Sequence, residues 1–272
     1  MKISDALLIG RYIQKSSFFH LLNSPIKILI IFFYTIIIFL LNETGLLFLF
    51  FIVLIFSFLS KINFFILIRG IKPIIVLLII TFILNLIFIQ TGKEISIPII
   101  NIKISEEALR TSAVFSLQII LAMFFAEILT FTTTPIELIK GIEILLKPLK
   151  KLKLPIMQIS LMFVIALKFI PITLQELENI ISSQKIRGIN LKNLKLNQKI
   201  FYFISLIIPL FVVTLKKTEH LAIALEMKCF NLLPVEKKEK KNTIKFIEII
   251  FFIFNILIIS FVLINFFSKK YM

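Results

Sequence analysis

Residues 26–60 read IKILIIFFYTIIIFLLNETGLLFLFFIVLIFSFLS. Two apolar runs, 26–41 and 45–60, flank the polar turn Asn42-Glu43-Thr44. Each run is near the lower limit of the roughly 20 residues that a bilayer-spanning helix needs. The short polar break between them predicts a helical hairpin within a membrane. The whole composition agrees with this hairpin. Of 272 residues 59% are hydrophobic and only 17% charged, and the mean hydropathy is +1.03. Soluble domains are about half apolar and a quarter charged, so a water-soluble fold would have to expose much of this apolar excess. The same numbers exclude a disordered chain, a disulfide-rich secreted module and a conventional nucleic-acid binder. Cys229 is the single cysteine and cannot form an intramolecular disulfide.

Working outward, a third apolar run covers about 73–90, opened by Pro73, which suits the first turn of a helix. Residues 91–105 alternate weakly and carry Thr91-Gly92, the pattern of a short extracellular hairpin or loop. Ser105-Glu106-Glu107 has the form of a helix start with acids in the first turn, and the fourth span runs from there to about Thr132. A last run covers about 244–267, and before the first run the segment Met1 to Lys27 lacks the form of a signal peptide. Between Thr134 and Thr243 charges interrupt the apolar residues at helical spacing. In 172–187, Leu174, Leu177, Ile180 and Ile181 share one face, with Gln175, Glu176, Glu178, Ser182 and Lys185 on much of the other. Residues 136–147 are similarly amphipathic. The runs 156–167 and 200–215 are short, associated with Pro171 and Pro209, and fit buried or interfacial helices better than spans.

The formal charge of +16 is explained by position. Lys and Arg number four up to the first span, three between the second and third, and eighteen between Thr134 and Thr243. The intervening loops hold none at 42–44 and three at 91–110. This is the positive-inside pattern: N-terminus and central segment cytoplasmic, C-terminus outside, in a multi-pass protein of the cell (inner) membrane. The chain divides into transmembrane helices over 1–133, a cytoplasmic or interfacial module over 134–236, and a basic linker with a C-terminal transmembrane helix over 237–272. The fold class is all-α, a polytopic membrane protein with about five transmembrane helices and long amphipathic helices in its cytoplasmic module.

Catalytic chemistry has little to build on. There are two histidines, His20 and His220, and one aspartate, Asp5. No His/Cys cluster has metal-ligand spacing, and no Gly-x-Ser-x-Gly elbow is present. The fragment Gly92-Lys93-Glu94 lacks the upstream glycine and the hydroxyl of a phosphate-cradling loop. Glu127 lies within a predicted span and fits either a proton path or pairing with a basic interfacial side chain. Two helix ends stand out: Ser182-Ser183-Gln184-Lys185-Ile186-Arg187-Gly188 and Ala222-Ile223-Ala224-Leu225-Glu226-Met227-Lys228-Cys229-Phe230. For the first, the residues admit two readings. The cation complements the helix dipole and glycine caps the C-terminus, or the cation docks into an acidic groove on a partner.

At these residues the chain resembles the transmembrane T component of energy-coupling factor (ECF) transporters, whose two cytoplasmic coupling helices each end in an Ala-Arg-Gly-like motif. Gln184-Lys185-Ile186-Arg187-Gly188 is similar to the first motif, with Ile186 in place of alanine. In the second, Met227, Lys228 and Cys229 stand where Ala, Arg and Gly are usual. Leu22-Asn23-Ser24-Pro25-Ile26-Lys27 resembles the family's Leu-Asp/Asn-Pro-x-x-Lys opening of the first span. Ile165-Ala166-Leu167-Lys168-Phe169-Ile170-Pro171 resembles its Ala-Leu-Arg-Phe-Ile-Pro run, and Leu206-Ile207-Ile208-Pro209-Leu210-Phe211 its Pro-Leu-Phe segment. The matches follow in order over about 20–230.

The resemblance implies a non-catalytic scaffold subunit of an ATP-driven importer for a micronutrient, a vitamin or a transition-metal ion such as cobalt or nickel. Its implied partners are two cytoplasmic ABC ATPase subunits, a membrane-embedded substrate-binding S component and the lipid bilayer, with no nucleic acid. No cofactor is implied for the chain itself, because ATP is used by the ATPases. Gln184, Arg187, Gly188, Glu226 and Lys228 would bind the ATPases, and Leu174, Leu177 and Ile181 would form the apolar coupling face. Lysine at 228 lacks the planar guanidinium fork of arginine, which implies weaker docking or a different groove there. Two alternatives are a pathway-forming ABC permease, which would need polar residues along the spans, and a membrane lipid head-group enzyme, which would need clustered acids for metal.

Overall fold

The computed structural model describes residues 12–89, 94–96, 103–152, 155–187, 196–228 and 246–271. In chain order the helices are α1 (Phe18–Leu21), α2 (Ser24–Ile38), α3 (Glu43–Leu59), α4 (Phe64–Gly70), α5 (Ile75–Phe88), α6 (Glu106–Thr132), α7 (Pro135–Leu146), α8 (Ile156–Ile186), α9 (Leu196–Met227) and α10 (Phe246–Tyr271). A two-stranded antiparallel ribbon, β1 (Glu94–Ser96) and β2 (Lys103–Ser105), lies between α5 and α6 with Ile95 opposite Ile104. It falls where the alternating stretch 91–105 predicts a hairpin. Ser105 then caps α6 by accepting the Glu107 N–H, as its acid-rich start suggests. The protein is an all-α polytopic membrane protein apart from this ribbon.

Two compact units divide the chain, with breaks between Leu149 and Lys150 and between Thr243 and Ile244. The first contains α1 to α7 and α10. Its core gathers around Tyr34, whose ring stacks on Phe125 at 5.0 Å and meets Phe56 edge-on. In lipid the hydrophobic effect does not drive helix against helix, so close packing and interhelical hydrogen bonds carry the association. The Tyr34 hydroxyl donates to Asn255 Oδ1 at 2.9 Å, joining α2 to α10. Gln118 Nε2 donates to the Ile38 carbonyl at 3.1 Å, joining α6 to the end of α2. Glu127 is buried, and its carboxylate lies over Gly70 of α4, so that a methyl at Gly70 would fall on it. Charged groups also gather at helix ends, where Arg110 of α6 pairs with Glu43 at the start of α3.

At the opposite end of α6 the segment Asn23-Ser24-Pro25-Ile26-Lys27 holds three helices at once. Asn23 donates from its backbone N–H and from Nδ2 to the Glu248 carboxylate of α10, at 3.3 and 2.6 Å. Ser24 and Ile28 press on Gly141 of α7. Lys27, only 2% exposed, donates from Nζ to the Thr132 carbonyl at 3.0 Å and to Thr133 Oγ1 at 3.4 Å. Thr132 ends α6, where carbonyls have no helical partner and the helix dipole is negative, so a buried cation is well placed there. Directly after it, α7 starts with a capping box, Thr134 Oγ1 accepting the Glu137 N–H and Glu137 accepting the Thr134 N–H.

Two expectations are corrected. The third span begins earlier than Pro73: Phe64 to Phe88 forms a 25-residue helical stretch, continued through a 3-10 turn at Lys72–Ile74. Proline fits this turn because its fixed φ suits a first helical residue. The runs 156–167 and 172–187 are one helix, α8, with Pro171 inside, and 200–215 lies within α9, with Pro209 inside. An apolar half and an amphipathic half share each helix, so the apolar run alone understates its length. The proline removes one hydrogen bond and leaves the remaining turns in place. Both helices are long and apolar enough to cross a membrane. With α4–α5 and α6 they make four such stretches among the described residues, beside three shorter apolar helices at 24–38, 43–59 and 246–262.

Candidate partner-docking tips of the second unit

The second unit is built on α8 and α9, which pack on each other. Each is more than thirty residues long, or about 45 Å at 1.5 Å per residue. Each carries an exposed apolar half, with Met162 and Phe163 on α8 and Phe201, Ile207 and Phe211 on α9. Leu174, Leu177 and Ile181 are half-buried on α8, on the apolar face of its more polar C-terminal half. Across the pair, Lys217 Nζ of α9 donates to Glu176 Oε1 of α8, with both side chains partly exposed.

Both tips end alike. Arg187 is the C-cap of α8, and its N–H still bonds the Ser183 carbonyl at 3.3 Å, so the helical path runs through it. Lys228 follows α9 directly, its N–H bonding the Ala224 carbonyl at 3.3 Å. Both cations are exposed, as is Glu226, while Gln184 is half-buried in the last turn of α8. The residue before each cation is apolar and exposed, Ile186 at 87% and Met227 at 75%. An apolar side chain in front of a free cation at a helix end offers a partner both a hydrophobic contact and a charge. Gly188 lies outside the described residues.

The ion pair Glu176–Lys217 was not legible in sequence. Glu176 appears there only as part of a polar face, and nothing in the residues marks Lys217 as its partner. The available clue is a spacing: Arg187 lies eleven residues after Glu176, and Lys228 eleven after Lys217. Among the described residues, no group of three His, Cys, Asp or Glu side chains could hold a metal ion.

The chain matches the cobalt transport protein (CbiQ) family over residues 15–243. It is similar to the energy-coupling factor transporter transmembrane protein EcfT of Macrococcus caseolyticus, 38% identical over 231 residues that cover 82% of this chain and 84% of that one. The EcfT protein of Bacillus subtilis is 36% identical over 224 residues, 82% of this chain and 84% of its own length. That of Staphylococcus aureus is 35% identical over 230 residues, 84% and 85% of the two chains.

Proposed function

This chain belongs to the cobalt transport protein family, which includes the transmembrane T components of ECF transporters, and from that premise we propose that it couples two cytoplasmic ABC ATPases to a substrate-binding S component. Arg187 and Lys228 each enter an acidic groove on one ATPase, assisted by Gln184, Gly188 and Glu226. When the ATPases close on ATP they carry the two tips with them. The apolar face containing Leu174, Leu177 and Ile181 passes that motion to the S component, which releases a vitamin or a transition-metal ion inward. The chain itself makes no bond to ATP and catalyses no reaction. Its N-terminus and central segment face the cytoplasm, on the positive-inside distribution of its lysines.

The observation that carries this reading is the pair of long helices, each ending in an exposed cation preceded by an exposed apolar residue. A helix C-terminus alone accounts for one cation through its dipole. It does not account for the same apolar-cation order at the ends of two helices packed together. The test is co-purification. Arg187→Glu is expected to lose the ATPase subunits and transport while the protein still inserts in the membrane. Lys228→Arg is expected to keep or tighten the assembly, since the guanidinium adds a planar fork of donors. Retention of both ATPases by Arg187→Glu at the wild-type level overturns the assignment.

A further inference from the structure

The two tips are arms of equal length measured from one ion pair. Glu176 and Lys217 join α8 to α9, and eleven residues separate Glu176 from Arg187 and Lys217 from Lys228. At 1.5 Å per residue each arm is about 16.5 Å. Eleven residues at about 100° each come to three turns and roughly 20°. Each terminal cation therefore leaves its helix on nearly the side from which that helix's member of the ion pair projects. The continuous backbone hydrogen bonds into Arg187 and Lys228 keep this register to the last residue of each arm.

Two stiff arms of equal length that leave one point have a tip separation set by the angle between them. For arms of about 16.5 Å, a change of about 10° in the angle between them moves the tips by at most about 3 Å. We propose that the Glu176–Lys217 pair is the fulcrum that fixes the spacing of the two cationic tips. These two side chains are positioning residues, since neither lies at a tip. Their partial exposure suits the role: a solvent-screened surface pair is weak, enough to bias the angle without locking it. This inference rests on the docking role proposed for Arg187 and Lys228, but the fulcrum itself is measurable without the ATPases.

The experiment places spin labels through Ser183→Cys and Ile223→Cys in a Cys229→Ser background of the full chain in lipid nanodiscs, with and without its ATPases. Both label sites are exposed and sit four and five residues before the cations. The chain with an intact pair is expected to give one narrow distance distribution. Glu176→Lys or Lys217→Glu alone, which puts like charges across the crossing, is expected to shift or broaden it at least about twofold. The exchange Glu176→Lys with Lys217→Glu is expected to restore it. Transport per ATP hydrolysed is expected to fall roughly fivefold in each single variant and to recover in the exchange. Co-purification of the ATPases should stay unchanged throughout, because the tips are untouched. Single variants with the wild-type distribution, or an exchange as broad as the single variants, overturn the fulcrum. Should the wild-type chain not hold the ATPases, the docking reading falls, and the distances alone still decide the fulcrum.

Discussion

Replacing Lys27 by methionine isolates what the buried cation does at the turn from α6 to α7. Methionine keeps most of the length and volume of the side chain, so no large cavity forms, and the loss is that of the ammonium. Thr132 then has a carbonyl without its 3.0 Å donor in a site that is 1% exposed. An acceptor stranded in this way costs about 1–3 kcal/mol. The attraction between the cation and the end of α6, up to about 2 kcal/mol in partly buried geometries, is largely the same interaction and is not added. Working the other way, the variant no longer carries a desolvated charge. A net loss of about 2 kcal/mol follows, or a midpoint lowered by about 4–8 °C at the 2–4 °C per kcal/mol of chains approaching this size. The chain has no tryptophan, so unfolding of the detergent-solubilised protein is best followed by far-ultraviolet circular dichroism. Lys27→Arg, which keeps the charge in a tight site, should fall between wild type and Lys27→Met. A Lys27→Met midpoint within about 1 °C of wild type would mean, at the expected 2–4 °C per kcal/mol, that the cation contributes nothing to the corner.

Three further outcomes follow from the packing. Gly141→Ala puts a methyl 2.8 Å from Ile28 Cδ1, 2.9 Å from Ser24 Cβ and 3.1 Å from the Ser24 backbone carbon; overpacking of about 1–3 kcal/mol should outweigh the helix propensity gain of about 1 kcal/mol, and thermal unfolding should show a net loss. Tyr34→Phe removes the hydroxyl bond to Asn255 and should cost only about 0.6 kcal/mol, the mean for interhelical bonds in lipid; a loss of several kcal/mol in the same assay would contradict that. The His20 ring accepts no proton freely: Nε2 must donate to the Ile13 carbonyl at 2.9 Å, which leaves Nδ1 to accept from the Ser17 hydroxyl at 2.6 Å. Burial pushes its pKa below the ordinary 6.5, so the unfolded chain takes up the proton first. Stability from this group is present above pH 6.5 and declines as the pH falls towards its lower folded value; His20→Gln should remove that part of the pH dependence of the midpoint.

The spans were legible because a bilayer requires long apolar runs, and the runs at 26–41, 45–60 and 106–132 correspond closely to α2, α3 and α6. The hairpin at 91–105 was legible through its alternation. The continuity of α8 and α9 was not, since Pro171 and Pro209 read locally as interruptions, and only tertiary context shows a proline carried inside a long helix. The tip at Arg187 could be placed at a helix end from its cation and the glycine after it, and that at Lys228, followed by Cys229, through the family resemblance. The polar anchor at Asn23 and Lys27 could not, because its partners lie more than a hundred residues away, at Thr132 and Glu248. Gly70 likewise shows in sequence only as a glycine near Arg69, and its reason is the Glu127 carboxylate packed against it.

The proposed docking of two ATPases by two helix-end cations is measured most directly by the amount of ATPase retained by a tagged chain carrying Arg187→Glu and Lys228→Glu together. This variant is expected to reach the membrane at the wild-type level and to retain neither ATPase. Recovery of both ATPases at wild-type stoichiometry with the doubly reversed chain would contradict it.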